Sequence, residues 1–337
     1  MRRHAILSRM ATSSKRASRL SIYRHWLEVP VLILTFTLLL GVPLLLGGLN
    51  TSIQIITDTP DENERTILVI LLTALLMLFI VAGTVGVTFM TLWSARRRLH
   101  QLRRGAVRIG PTQFPAIDAE ARAVRTALAV TKAVDLYLVD GRWLTRGIAP
   151  ISVLGVTKPY EIVLDASLVQ EMTLAELRFL LGVEYGHVQL GHVRVLTMID
   201  AVSGSLGRIP FVGGFVRVLF SSWSNLAIYS SDRAGLVASG SLASAYSALG
   251  KLAVGGALWA EIDHTTLARQ ARRQRGRVFD LGNRLTSPFD TQPMGRFQRL
   301  VAFSDTPAFQ SLCPDADLNF PAAEVWRQRI AANADAQ

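Results

Sequence analysis

Only one cysteine, Cys313, occurs in the 337 residues. That excludes an internal disulfide and any CxxC metal site. Charge is missing altogether from two stretches, residues 29–49 and 66–93, which are 21 and 28 positions long. About 20 apolar residues cross the roughly 30 Å hydrocarbon core as a helix, so each run is long enough to span. A cleaved signal peptide has an apolar segment of only about 7–15 residues, which makes it the poorer reading of the first run. Acidic residues are also scarce, 25 against 36 basic ones, for a net charge of +11. No zinc-finger, RRM or helix-turn-helix signature accompanies that excess, so no nucleic-acid partner is expected. No internal repeat is visible.

Where the basic residues lie explains much of the imbalance. Seven precede Val29 (Arg2, Arg3, Arg9, Lys15, Arg16, Arg19 and Arg24), and six follow the second run (Arg96, Arg97, Arg98, Arg103, Arg104 and Arg108). Between the runs stand Asp58, Asp61, Glu62 and Glu64 against Arg65 alone. By the positive-inside rule both ends face the cytoplasm and a short acidic loop faces out. The basic flanks would meet anionic membrane lipid. A second cluster, Arg269 to Arg277, reads as a solvated helix face. The expected organisation is a basic segment 1–28, a transmembrane hairpin 29–95, a basic linker 96–118, a folded domain 119–310 and a tail 311–337.

The folded part reads as α+β. Alternation and β-branched content predict strands at 135–139, 151–154 and 160–164. Thr173 with Glu176 makes a capping box for a helix expected to run to about Met198, with Leu177, Leu180, Leu181 and Leu190 facing the core. Residues 199–231 are apolar but broken by charges and glycines, and read as a hydrophobic hairpin. Residues 232–260, rich in Ala, Ser, Gly and Leu, read as a second inner helix.

The chemistry-bearing stretch is Leu181-Gly-Val-Glu-Tyr-Gly-His187. In H-E-x-x-H two histidines four residues apart share a helix face and bind zinc, and the glutamate is general base to the metal-bound water. Glu184 and His187 stand in motif positions, but Val183 holds the place of the first histidine. With Gly186, Gly191 and His192, the stretch resembles the motif helix of the membrane-bound gluzincin metallopeptidases, the HtpX and CAAX prenyl endopeptidase type called metallopeptidase family 48. Tyr229-Ser-Ser-Asp232-Arg233-Ala-Gly-Leu236 resembles their second signature, E-x-x-x-D-R-A-G-L, with Ile228 where the third zinc ligand would be. Thr291-Gln292-Pro293 resembles a Ser/Thr-His-Pro element with the histidine replaced, and Ile151 stands where the family carries an asparagine.

The resemblance implies a two-helix transmembrane hairpin followed by a mainly helical gluzincin, or zincin-like, domain with a small sheet. It gives Glu184 the general-base position, His187 the one retained ligand position, and Asp232 a place behind the ligands, where it would pair with His187 or Arg233. On a continuous helix His192 would lie about 500° round from His187, off its face. A catalytic zinc needs three protein ligands and an open position. The family cofactor, zinc, is therefore not expected here, and a pseudoprotease that binds peptide or membrane-protein partners is. Two other readings stay open: an active zinc protease using Glu184, His187 and Asp232 or His264, and a lipid or scaffold adaptor. Restoring Val183→His and Ile228→Glu together is expected to regain zinc.

Overall fold

The computed structural model describes residues 62–141, 149–155, 157–206, 212–264 and 293–320, with a few single positions besides. The segment 1–28, the run 29–49 apart from positions 47 and 48, the arginine cluster 269–277 and Gln292 lie outside the described residues. The described chain is mostly helical, with one mixed sheet of four strands.

Helix α1, Glu62–Gly105, contains the second uncharged run. Ile67, Leu71, Leu78, Phe89 and Trp93 are exposed along it. Among the described residues no helix is long and apolar enough to cross a membrane. The lower end of α1 docks on the sheet rather than hanging from a loose connection. Leu102 is buried against Val139 and Val163, and Arg103 Nε donates to Glu161 Oε1 at 2.7 Å. Burial pushes the Glu161 carboxyl up from its ordinary value, the Arg103 guanidinium opposing it.

Strand β1, Val107–Arg108, follows at once and pairs antiparallel with β2, Val134–Val139. It is too short for any periodicity to reveal. Strands β3, Ile151–Leu154, and β4, Tyr160–Asp165, form an antiparallel pair, and β4 runs parallel to β2, which gives the order β1-β2-β4-β3. All six residues of β4 are buried, as befits a central strand covered on both faces. Among the described residues, strand β3 is an edge.

Helix α2, Pro115–Ala127, buries Ile117, Ala121 and Val124, a spacing that makes one apolar stripe. After α3, Ala166–Glu171, comes the motif helix α4, Leu174–Leu190. Its capping box forms as the sequence predicts: the Thr173 hydroxyl accepts from the Glu176 N–H, and Glu176 Oε2 accepts from the Thr173 N–H at 2.7 Å. Glu176 also accepts from Ser247 at 2.5 Å and from Lys251 at 2.9 Å. Burial pushes that carboxyl up, but these hydrogen bonds outweigh burial and hold it below its ordinary value.

The helix does not run on to Met198. Gly191, at φ 84°, closes α4 and donates its N–H back to the His187 and Val188 carbonyls. A left-handed residue is the common way to end a helix, and glycine adopts it without strain. Helix α5, His192–Leu206, starts immediately after it. Lys132 Nζ donates to the Val188 and Gln189 carbonyls at the same end.

Helix α6, Val212–Ser239, carries the second signature without a break from the stretch before it. The inner helix expected over 232–260 is in fact three pieces. Gly240 at φ 67° ends α6, Ser241 caps α7, Leu242–Val254, and Gly255 separates α7 from α8, Gly256–Trp259. Helices α9, Pro293–Ser304, and α10, Pro307–Leu312, complete the described chain. The largest buried side chains include Phe179, Trp223, Tyr246 and Phe297.

Candidate functional site

Helices α4 and α6 cross on a seam of small residues. A Cβ on Gly182 would stand 2.8 Å from the Ala238 Cβ and from the Gly235 Cα, and one on Gly186 would stand 2.8 Å from the Ala234 Cβ. These glycines let the two signature helices approach closely, which places Val183, Glu184 and His187 of α4 toward Ser231 and Asp232 of α6. Helix α9 closes one side and the β3 edge another.

Val183 is buried, 5% exposed, and its Cγ2 lies so close to Gly235 that a Cβ there would meet it at 2.7 Å. It packs; it offers no donor. Ile228, half-buried, is one turn before Asp232 on α6. Glu184 is buried and accepts a hydrogen bond from the Val153 backbone N–H, a group of the edge strand. Burial pushes its carboxyl up to about 7, with Asp232 adding to the shift and Arg296 and the Val153 N–H opposing it.

His187 and His192 are brought together, contrary to the expectation from a continuous helix. Their Nδ1 atoms are 3.2 Å apart and the rings meet edge-on. The turn at Gly191 swings His192 back over the end of α4. His192 Nδ1 also lies 3.3 Å from Ser231 Oγ, and its ring stands at 89° to Trp223. Burial holds His187 well below the ordinary imidazole value, helped by His192 and Arg296. It is a neutral imidazole in a hydrogen-bonded pair, donor roles depending on the tautomer.

Asp232 takes a different partner from either one expected. Arg296 of α9 grips it with two bonds, Nε to Oδ2 at 2.9 Å and Nη2 to Oδ1 at 2.5 Å, with the side chains 15% and 2% exposed. Burial works against the guanidinium charge, but Asp232 outweighs it and keeps Arg296 firmly protonated. Arg233 instead lies over the Phe303 ring at 5.1 Å. Arg296 was not singled out from the sequence, although a signal existed: it lies on the apolar stripe of α9, four residues before buried Leu300 and seven before buried Phe303. A charge on such a stripe needs a buried partner.

His264, the alternative ligand, belongs to another neighbourhood. Its Nδ1 is 3.3 Å from the Tyr246 hydroxyl and its ring is 5.0 Å from Trp259. Among the described residues no group of three His, Cys, Asp or Glu side chains is placed to hold a metal ion.

A buried fold of this kind, with the E-x-G-H helix crossing a D-R-A-G helix beside an edge strand, is that of a metallopeptidase-like domain. Residues 153–265, about a third of the chain, match the family model of peptidase family M48, whose enzymes depend on zinc, and this match supports membership of that family. No curated protein and no solved structure matches the chain. Among the described residues, the side chains at the positions that the resemblance assigns to the zinc site do not fit a catalytic zinc: Val183 and Ile228 are apolar, and Asp232 is paired with a guanidinium.

The Glu184 carboxyl gives a pH signature. Its folded value of about 7 lies above the roughly 4.3 of an unfolded glutamate. Its contribution to stability is therefore full below about pH 4.3 and is lost as pH rises through about 7, because the unfolded chain releases the proton first. His187, held low, acts in the opposite sense: its contribution is present above the ordinary imidazole value and is lost as pH falls. Glu184→Gln should flatten the decline in unfolding midpoint between about pH 4.5 and 7.5. Parallel pH profiles for wild type and variant would rule out a buried titrating carboxyl.

Proposed function

We propose that this protein is a membrane-anchored, non-catalytic member of the M48 family that binds extended peptide or membrane-protein segments. The observation that carries the reading is the pair of apolar side chains, Val183 and Ile228, at the two lost ligand positions. Glu184 keeps the general-base position but is spent on an internal hydrogen bond from Val153. A general base of this kind acts on a metal-bound water, which a site with valine and isoleucine at two ligand positions would not supply.

The binding role rests on β3. Among the described residues it has one sheet neighbour, β4, and an edge left open in this way can accept a chain by strand addition. Because Glu184 already accepts from the Val153 N–H, an added strand would pair with the remainder of that edge or displace the carboxylate. Membrane attachment rests on the two uncharged runs, and the arginine asymmetry around them argues for a cytoplasmic domain with lipid headgroups against the basic flanks. The docking of Leu102 and Arg103 on the sheet would make α1 a stiff support for the domain.

Detergent-purified protein should contain far less than one zinc per chain by elemental analysis and should leave casein uncut. Reporter fusions at the C-terminus and near Asp61 should give cytoplasm and exterior respectively. Stoichiometric zinc that is lost on His187→Ala would replace this reading with that of an active protease using unusual ligands.

A further inference from the structure

We propose that the Arg296 guanidinium is the resident cation of this site, standing in for the divalent ion and closing the cleft to zinc even when ligands are supplied. Three observations converge. The guanidinium makes two hydrogen bonds to Asp232 across α6 and α9, in a geometry that satisfies both carboxylate oxygens. It is buried enough, at 15% exposure, that its charge is poorly screened. It is delivered by α9, which packs on α6, the helix that carries the second signature.

Charge counting sharpens the point. Asp232 and Arg296 balance each other as a buried ion pair. A divalent ion would add two positive charges beside a pair that is already neutral. Val183→His brings no charge and Ile228→Glu brings one negative charge, so the two ligand restorations leave an excess beside a fixed guanidinium. Removing the guanidinium as well lets Asp232 and the new carboxylate balance the metal. Restoring the two ligands is therefore not sufficient, contrary to the expectation from the sequence.

The test uses the full chain in detergent and zinc itself as the probe, competed against a chromophoric chelator. Val183→His/Ile228→Glu should bind zinc no better than wild type. Adding Arg296→Met should tighten binding by at least roughly tenfold, because the three ligands then no longer share the site with a fixed positive charge. Equal binding by the double and triple variants would overturn the proposal, and so would a folded triple variant that gains nothing. If the triple variant fails to fold because Asp232 is left unpaired, the same comparison is made with Asp232→Asn in both backgrounds, and the same criterion decides. The inference rests on the zinc-free reading above, but the two fail separately: stoichiometric zinc in wild type sinks that reading, whereas the double-against-triple comparison sinks this one.

Discussion

Arg296→Met should cost about 3 kcal/mol of unfolding stability, the lower end of the range for breaking a buried ion pair. The lower end applies because the guanidinium keeps 15% exposure while Asp232 keeps only 2%. What is lost is mainly the orphaned carboxylate rather than the attraction itself, since Asp232 would have to stay charged without a partner or take up a proton. The neutral pair Asp232→Asn/Arg296→Met should therefore recover most of the loss, a coupling that a double-mutant cycle reads directly. Denaturant midpoints of the four proteins at fixed detergent supply the numbers. If the single change costs less than about 1 kcal/mol, the pair behaves as a surface bridge, and the account of a buried resident cation fails with it.

The same pair shows where the sequence stops being legible. Strands at 151–154 and 160–165 could be read from local chemistry, because alternation, β-branched residues and flanking breakers act within a few positions. The Thr173 and Glu176 capping box was legible for the same reason. Asp232 and Arg296, 64 positions apart, are joined only by the packing of α9 on α6, and no local signal states which buried charge meets which.

The His187 and His192 contact failed differently. Gly191 is part of the family resemblance, but its role as a left-handed helix terminator is what sets the geometry. Once the left-handed turn is granted, the helical angle between the two histidines ceases to apply and the 3.2 Å approach follows. Val183 and Ile228 stand at ligand positions by the sequence resemblance alone. That Arg296 also bears on their surroundings is not legible there.

The seam between the signature helices offers the other large effect. A Cβ on Gly186 would lie 2.8 Å from the Ala234 Cβ, 3.2 Å from the Ser231 carbonyl oxygen and 3.3 Å from the Ser231 Cα. Real Cβ atoms essentially never come as close as 2.8 Å, and the two longer distances, tighter than most real contacts, are to backbone that cannot rotate away. Gly186→Leu should thus cost about 3 kcal/mol or more, at or beyond the upper end of ordinary overpacking, because the helices must separate and the His187, His192 and Ser231 contacts open with them. Gly186→Ala provides the finer measurement. Alanine is intrinsically better in a helix by about 1 kcal/mol, so any net loss must come from the crossing. Ala234→Gly removes the nearest atom, leaving contacts of 3.2 and 3.3 Å, so Gly186→Ala should be tolerated better in that background than in wild type. The readout is the unfolding midpoint of each single variant and of the pair. Simple additivity of the two changes would mean that α4 and α6 do not touch at this point, and the placement of the motif groups opposite Asp232 would have to be abandoned.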